Sequence, residues 1–474
     1  MHRLTVLIAV CSFSVALHAP AQSLRAGAAT ANITPFLGSP IVGNFTEPPA
    51  QRIHDELHAR CIVLDDGRTR LAFVVCDNVG IPREVFDQAK RLIQKSTGLP
   101  PSNVLTSSTH THSATSARSR NALKPEPTLT EYQTFVARRI DQAVRCATAN
   151  LEPARLAYGS ADEPRPLFNR RYKMKPGTEL LSPFGQPELV KMNPGAGNPN
   201  VLEPAGPTDP QISFLSVQSA NGRPIALLAN YSLHYIGGVG NNTISADYFA
   251  AFADRIQQLL GADRLDPPFV GILSNGTSGD VNNINVLGPR LTQRLKPFEQ
   301  IHTIANMLAD DVYKAHQSIQ FHDTVPLKAL TRELTLKTRK PTPEMLDRAK
   351  KLLAGTVSSD PKRPHEEAYA KRIIDLADSP DEVSIPLQTF RVGDVGIAAI
   401  PFEVFTQSGL DIKSRSPLKP TFTIELANGA YGYLPTPEQH ALGGYETWLG
   451  TNKVEIQTAP KIVDAIVQMF EDLK

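Results

Sequence analysis

The fold is decided by residues 59–108, which read ARCIVLDDGRTRLAFVVCDNVGIPREVFDQAKRLIQKSTGLPPSNVLTSS. The apolar runs Ala59–Leu64 and Arg70–Cys76 are separated by a short polar turn, as in a β-hairpin. Apolar residues then recur at helical spacing until Gly98, a residue type that often follows the last turn of a helix. Val104–Ser108 has the composition of a short strand, so this stretch predicts strand, strand, helix and strand in succession.

The same alternation continues to the end of the chain. Strands are predicted at Arg155–Tyr158, Ile225–Asn230, Phe269–Leu273, Leu327–Lys337, Val395–Ile400 and Phe422–Leu426, and helices at Thr130–Ala149, Asp247–Leu260, 299–316, 342–354, 364–377 and Pro460–Leu473. A further helix is expected to begin near Glu403, and the proline-rich residues 163–210 predict a long loop. The interleaving indicates an α/β (mixed α+β) class: one large domain of mixed β-sheets flanked by helices, with functional residues at the carboxyl ends of strands.

Composition indicates a folded protein without a strong charge bias. The 474 residues include 49 Lys and Arg against 47 Asp and Glu, a formal net charge of +2. This balance argues against a nucleic-acid-binding protein, which would carry a basic excess. Hydrophobic residues make up 41% of the chain, which is enough to build a core and argues against wholesale disorder.

The N-terminus is typical of an export signal. A short positive start is followed by the apolar run Leu4–Leu17 and by Ala19-Pro20-Ala21, a small-x-small cleavage pattern. We expect residues 1–21 to be a signal peptide and residues 22–474 to be the mature domain, secreted or periplasmic. No later segment is apolar enough to predict a transmembrane span in the mature chain.

The three cysteines that remain after this cleavage predict at least one free thiol. A hairpin that turns at Asp66-Gly67 would place Cys61 opposite about position 72 and away from Cys76. For Cys61 and Cys76 we therefore favour small buried hydrophobic residues over a disulfide, and Cys146 is the third cysteine of the mature chain.

The strongest local signal for chemistry is Ser107-Ser108-Thr109-His110-Thr111-His112-Ser113, directly after a predicted strand. In an extended segment, residues i and i+2 point to the same side, so His110 and His112 would converge. One histidine could then bind a metal ion while the other carries a proton. The alternative is that both histidines hydrogen-bond to backbone or water at a strand end.

Further polar residues follow other predicted strands. They are His234, the segment Gly279-Asp280-Val281-Asn282-Asn283, Glu403, Tyr433 and Tyr445. Sites in open α/β sheets gather beyond the carboxyl ends of strands, so these residues could share one cleft. Each also has a structural interpretation: a helix-terminal carboxylate, a hydrogen-bonded loop histidine, or amphipathic packing of a tyrosine.

Together these motifs resemble the catalytic N-terminal part of the neutral/alkaline non-lysosomal ceramidase family. The resemblance runs from about Ala26 to Gly450 and rests on several motifs in one order. They are Ala31-Asn32-Ile33-Thr34-Pro35, Ile53-His54-Asp55, Ser108-Thr109-His110-Thr111-His112-Ser113, Asn169-Arg170-Arg171, Ile244-Ser245-Ala246-Asp247-Tyr248, Gly279-Asp280-Val281, Pro401-Phe402-Glu403, Tyr433-Leu434-Pro435-Thr436-Pro437-Glu438 and Tyr445-Glu446.

The resemblance implies a zinc-dependent amidase. Zinc would be held by four side chains carried over by position: His110, His234, Glu403 and Tyr433. Two imidazoles and a carboxylate form a common catalytic zinc shell that leaves room for water. Zinc lowers the pKa of bound water to about 7, so zinc-activated water would attack the amide carbonyl at neutral pH.

The remaining roles also follow from the resemblance. His112 would be the neighbouring acid/base that protonates the leaving amine. Arg170 and Tyr445 would bind and polarise the substrate carbonyl. Asp247 or Asp77 would orient a ligand histidine, or act as a helix cap and a loop carboxylate.

Two departures from the family bear on the substrate. The family has a serine after Gly-Asp-Val, often proposed as the nucleophile, where this chain has Asn282, which cannot form an acyl-enzyme. Ser278 lies earlier in the chain and is not its equivalent; Asn282 would at most donate a hydrogen bond. The last motif lies near the end of the sequence, so the C-terminal domain of long family members is not expected.

Three functions remain open at this point. The first is an exported zinc amidohydrolase that cleaves the N-acyl bond of a sphingolipid such as ceramide. The second is a zinc hydrolase with another amide, ester or lactone substrate. The third is a secreted binding protein without catalysis. In each case the expected partner is a small molecule or a lipid and not a nucleic acid, and no oligomeric state is predicted.

Overall fold

Two β-sheets that pack face to face form the centre of the protein, which the computed structural model describes over residues 23–43, 46–115, 117, 121–125, 127–289 and 295–474. The larger sheet has eight strands in the spatial order Val270–Asn275, Pro224–Tyr231, Gln211–Ser219, Glu152–Asp162, Arg25–Asn32, His58–Asp65, Arg70–Cys76 and Val104–Ser108. The two pairs at its edges are parallel and the other neighbours are antiparallel, so the sheet is mixed.

The smaller sheet lies against the inner face of the larger one. Its four strands are Leu327–Lys337, Glu382–Val392, Val395–Ile400 and Thr421–Glu425, with the last pair parallel. Apolar side chains of both sheets form one buried layer, in which the rings of Phe73 and Phe390 lie 5.0 Å apart.

Helices cover the two outer faces. Helices α1 (Arg83–Thr97), α2 (Glu131–Ala149), α3 (Asp247–Leu259) and α4 (Glu299–His316) pack on the larger sheet. Helices α5 (Pro343–Leu353), α6 (Glu366–Ala377), α7 (Thr406–Arg415) and α9 (Thr458–Leu473) pack on the smaller one, and α8 (Pro437–Leu442) is short. The layers therefore run helix, sheet, sheet, helix, which confirms the predicted α/β (mixed α+β) class.

Short strands and 3-10 turns connect these layers. The strands are Ile41–Val42, Arg52–Ile53, Ala114–Thr115, Phe168–Asn169, Arg171–Met174, Val190–Met192, Val201–Pro204, Thr243–Ile244, Val281–Asn282, Glu403–Val404 and Tyr433–Leu434, and the turns are Pro101–Asn103 and Tyr445–Thr447. Four of these strands lie within residues 163–210, so the long loop predicted there is partly built of small sheets.

Helix boundaries follow local sequence signals closely. Thr130 forms a capping box with Gln133 at the start of α2, and α1 ends at Gly98, whose φ of 75° favours glycine. A helix was predicted to begin near Glu403, and the predicted starting residue is wrong. Residues Glu403–Val404 pair as a parallel strand with Tyr433–Leu434, and α7 begins only at Thr406.

The hairpin register differs from the prediction by two residues. Asp66 N donates to Thr69 O and Asp66 Oδ1 accepts from Thr69 N, which closes a four-residue turn in place of a two-residue one. Cys61 therefore pairs with Val74 and not with position 72. The prediction of no Cys61–Cys76 disulfide is confirmed, because both thiols are free and buried; Cys146 is also free but exposed.

The carboxyl ends of several strands meet because the two sheets are joined there. The larger sheet curls until Cα atoms of its edge strands, Val104–Ser108 and Val270–Asn275, lie within 8 Å of each other. Ser108 N donates to Leu426 O and Asn230 Nδ2 donates to Thr423 O, which ties both halves of the larger sheet to the smaller one. The junction gathers residues that are far apart in the sequence.

The predicted signal peptide, residues 1–21, lies outside the described residues. Within the part of the chain that is described, no helix has the length and apolar composition of a membrane span.

Candidate metal centre and active site

Three imidazoles and one carboxylate meet at the junction of the strand ends. His110 Nε2 lies 3.1 Å from His234 Nε2 and 3.3 Å from Glu403 Oε2. His112 Nε2 also lies 3.1 Å from His110 Nε2, and the Nε2 of His234 is 3.9 Å from Glu403 Oε2. The three histidines and Glu403 therefore form one cluster, although His110 and Glu403 are almost three hundred positions apart in the sequence.

His110 reaches this place through an unusual backbone conformation. The strand ends at Ser108, and His110 has a φ of 72°, in the left-handed region that is costly for a non-glycine residue. Its backbone N–H donates to Asn78 O. The expectation that an extended segment brings His110 and His112 together is therefore wrong, although the two rings do converge.

The hydrogen bonds behind the rings fix the tautomers of two histidines. His110 Nδ1 lies 2.6 Å from Val79 O, and His234 Nδ1 lies 3.0 Å from Ser278 O. A carbonyl oxygen can only accept, so each Nδ1 carries a proton, and the neutral form of either ring then presents an unprotonated Nε2. Backbone carbonyls thus orient the rings as acceptors towards their meeting point.

This donor set fits a zinc ion. In the neutral forms of His110 and His234 the two Nε2 lone pairs face each other at 3.1 Å, an arrangement that a cation held between them would stabilise further than the Arg170 guanidinium 3.2 Å from His234 Nε2 already does. Glu403 Oε2 is buried at the same point and accepts no well-aligned hydrogen bond. Ligands held about 2.0–2.1 Å from a tetrahedral zinc ion are roughly 3.3 Å apart, close to the separations found here.

Electrostatics keep these groups in the states that metal binding requires. Burial, Arg170 and the neighbouring histidines lower the pKa of His234 well below its usual value, so the ring is neutral. Burial opposes ionisation of Glu403, but His110, Tyr433 and Arg170 outweigh it and lower the pKa of its carboxyl. A neutral imidazole and an ionised carboxylate are the metal-binding forms.

Strand pairing places Tyr433 beside Glu403. The two residues are direct partners in a short parallel ladder, which puts their side chains on the same face. Tyr433 is buried, and its ring centroid is 5.8 Å from that of Tyr445. Burial raises the pKa of both phenols, so each hydroxyl is a neutral donor in the protein alone.

A buried ion cluster fixes Arg170. Its Nε donates to Glu446 Oε1 at 2.8 Å, and Arg171 Nη1 donates to Glu446 Oε2 at 2.5 Å. Arg170 Nη1 lies 3.2 Å from His234 Nε2, while its Nη2 is buried without an acceptor. The free Nη2 donor beside the candidate metal centre is suited to a substrate oxygen.

His112 stands on the solvent side of the cluster. Its ring stacks on Tyr235 at 3.8 Å with an interplanar angle of 14°. Gly43, whose φ is 122°, also packs closely against His112, because a Cβ on Gly43 would lie 2.6 Å from His112 Cγ. The contacts with Tyr235 and Gly43 leave little freedom for the ring to turn.

For Asp247 and Asp77 the structure favours the structural alternative, and it gives the amide of Asn282 a partner within the protein. Asp247 accepts from Ile236 N and Gly237 N, and Asp77 pairs with Arg60, so both are structural carboxylates and neither orients a ligand histidine. Asn282 Nδ2 donates to Asn193 Oδ1 at 2.8 Å, so its amide supports the neighbouring loop.

All eight residues predicted for the site line two adjoining cavities of about 620 and 610 Å³. Residues shared by both cavities are Gly43, His112, Arg372, Tyr433 and Tyr445. The first cavity also contains His110 and Glu403, and the second also contains Arg170, His234 and Asn282. The predicted residues therefore lie together, although their individual roles do not follow from proximity.

Sequence reasoning missed other residues around this centre. They are Val79, Arg171, Tyr235, Ser278 as a contact of His234, Arg372, Glu425 and Glu446. Glu446 stands next to Tyr445 in a quoted motif, which was a usable signal. Val79 acts through its backbone carbonyl, and no side-chain pattern could have indicated it.

Comparisons with known proteins find ceramidases. The neutral ceramidase of Pseudomonas aeruginosa is 24% identical over 457 residues, a match that covers 83% of this chain but only 64% of that relative's length. The crystal structure of neutral ceramidase from Pseudomonas aeruginosa aligns with 95% of this chain and 75% of its own, at a TM-score of 0.68 and 20% identity. A ceramidase complexed with C2 has the same coverage, a TM-score of 0.66 and 19% identity.

At these identities, structural similarity shows only that the fold is shared. The match to a family model shows the family as well. The N-terminal region that defines neutral/alkaline non-lysosomal ceramidases matches residues 27–360, well over half of the chain. This chain belongs to the neutral/alkaline non-lysosomal ceramidase family.

Proposed function

We propose that this chain is an exported, zinc-dependent amidohydrolase that cleaves the N-acyl bond of a sphingolipid such as ceramide. The observation that carries the proposal is the convergence of the Nε2 atoms of His110 and His234 on the buried Oε2 of Glu403. Tyr433, paired with Glu403, completes the set of residues that would hold zinc. Zinc bound there would supply Lewis acidity and a nucleophile at neutral pH.

The other side chains then have defined tasks. The Nη2 of Arg170 and the hydroxyl of Tyr445 would donate hydrogen bonds to the amide oxygen as negative charge develops on it. Glu446 holds Arg170 in place, so this donor needs no rearrangement during the reaction. His112 Nε2 lies beside the metal ligands and would deliver a proton to the leaving amine nitrogen.

Turnover of defined amides tests this function. Purified chain would be loaded with zinc and incubated with ceramides of short and long acyl chains, and released sphingosine would be measured. We expect hydrolysis that stops with a chelator, returns with zinc, and is absent in His110→Ala. Full activity of His110→Ala, or activity that survives complete removal of zinc, contradicts the proposal.

A second candidate is a zinc hydrolase acting on a more polar amide, ester or lactone. The first cavity is lined by charged side chains beside the predicted metal ligands, namely Glu47, Arg372, Asp375 and Lys453. Two hydrocarbon chains would gain little from such walls, because apolar contact is what stabilises them. Zinc-dependent turnover of N-acyl amino acids or N-acetylated sugars, with ceramide left intact, would favour this candidate.

Export is part of the same proposal. The N-terminal signal pattern motivates it, and the relative from Pseudomonas aeruginosa is bacterial. Mass spectrometry of the protein recovered from a periplasmic or culture fraction should find a mature N-terminus at Gln22. Recovery of the intact N-terminus from the cytoplasm would contradict export.

A further inference from the structure

A buried carboxyl group joins the two halves of the candidate metal centre from behind. Glu425 is the last residue of the strand Thr421–Glu425 and is fully buried. Its Oε1 accepts from Ser278 Oγ at 2.6 Å, and its Oε2 accepts from Val404 N at 2.6 Å and Ser278 N at 3.2 Å. These three donors are neutral, so the carboxyl is held by hydrogen bonds and not by an ion pair.

Each residue that donates to Glu425 is also linked to a proposed zinc ligand, either by a hydrogen bond or by the peptide chain. Ser278 supports His234, whose Nδ1 lies 3.0 Å from Ser278 O and 3.3 Å from Ser278 Oγ. Val404 follows Glu403 directly, and its carbonyl accepts from Gly279 N at 2.8 Å. Glu425 therefore connects the acceptor behind His234 with the backbone that carries Glu403.

We propose that Ser278 and Glu425 are positioning residues that hold His234 and Glu403 at the separation a zinc ion requires. The inference rests on the zinc site proposed above. The Ser278 hydroxyl donates to Glu425, so its lone pairs are left to face the Nδ1–H of His234. A carboxyl buried among neutral donors is costly, which favours a role beyond packing.

Partners behind metal ligands typically change metal affinity by about 10- to 100-fold when they are removed. We therefore expect Ser278→Ala to raise the dissociation constant for zinc by about that factor. Glu425→Gln keeps the volume but replaces one acceptor oxygen with a donor, so we expect a loss of similar size. Because both residues act through one chain of hydrogen bonds, the double variant should lose less than the product of the two single effects.

Ser274→Ala is a matched control. Ser274 is fully buried in the same segment, and its Oγ donates to Ala229 O and accepts from Asn230 Nδ2, away from the proposed ligands. The experiment titrates zinc into each purified chain in competition with a fluorescent chelator, and it records the urea midpoint of the metal-stripped protein. We expect Ser274→Ala to shift the midpoint while leaving the dissociation constant for zinc unchanged.

The outcomes separate this inference from the zinc site. A wild-type chain that binds no zinc overturns the site itself and the inference with it. Wild-type binding together with an unchanged constant in Ser278→Ala overturns only the positioning role. An equal loss of zinc affinity in Ser274→Ala also overturns it, because general softening of the core would then explain both results.

Discussion

Gly43 leaves room for the ring of His112, the residue proposed to carry the proton. A methyl group at this position would meet the His112 ring at 2.6 Å, and the φ of 122° already disfavours any side chain. We expect Gly43→Ala to displace His112 and lower kcat at least tenfold, while the dissociation constant for zinc stays near that of the wild type. Steady-state kinetics and zinc titration measure the two effects separately.

Gly38→Ala is the control for backbone strain in the same segment. Its φ of 90° is also in the region that disfavours alanine, but open space surrounds the position of its Cβ. It should destabilise the loop without affecting kcat. Loss of zinc binding in Gly43→Ala would show that His112 is a ligand and not the acid/base.

Asn282 tests which group attacks the substrate. Its side-chain amide donates to Asn193 Oδ1 and accepts from Ile284 N, and the resemblance described above aligns it with a serine. Because the proposed nucleophile is water, we expect Asn282→Ser to give no burst of product and no covalent acyl adduct. Rapid-quench kinetics and intact mass measure this; an adduct together with faster ceramide cleavage would show that the missing hydroxyl limits the wild type.

Helix α1 provides a prediction at the scale of an element. Lys90 is buried on this helix and donates to Asn428 Oδ1, and burial lowers the pKa of its ammonium group to about 8 from 10.5. Between those values the unfolded chain binds more protons than the folded one. The contribution of Lys90 to the free energy of unfolding should therefore become more favourable as the pH rises from about 8 to 10.5, by up to about 3 kcal/mol.

Urea unfolding at several pH values checks this contribution. We expect the difference between wild type and Lys90→Met to change between pH 8 and 10.5 and to be constant below pH 7. Lys95→Met, an exposed lysine of the same helix, should show no such change. A Lys90→Met difference independent of pH would contradict the account of the buried amine.

Elements that follow local patterns were predictable, and elements set by distant pairing were not. The strands Val104–Ser108, Leu327–Lys337 and Val395–Ile400 have the predicted bounds. The strand Arg25–Asn32 was missed because it is rich in alanine, which favours helices, and it exists through pairing across the sheet. The strand at Glu403 exists only because the chain returns beside it at Tyr433.

The site could be predicted only in part, because some of its contacts depend on how the two sheets of the whole molecule join. Resemblance to the family indicated His110, His234, Glu403 and Tyr433, and the structure brings the four together. Glu425 carried no motif, because its contact with Ser278 spans 147 positions and depends on how the two sheets join. Contacts of that kind follow from topology and not from any local pattern.

Zinc content tests the central claim most directly. Purified chain would be incubated with excess zinc and dialysed, and its metal content would be measured by mass spectrometry beside Glu403→Ala prepared in the same way. The account predicts one zinc ion per wild-type chain and far less in the variant, because the carboxylate that closes the centre is gone. A wild-type chain that retains no zinc, or a variant that retains a full equivalent, would contradict it.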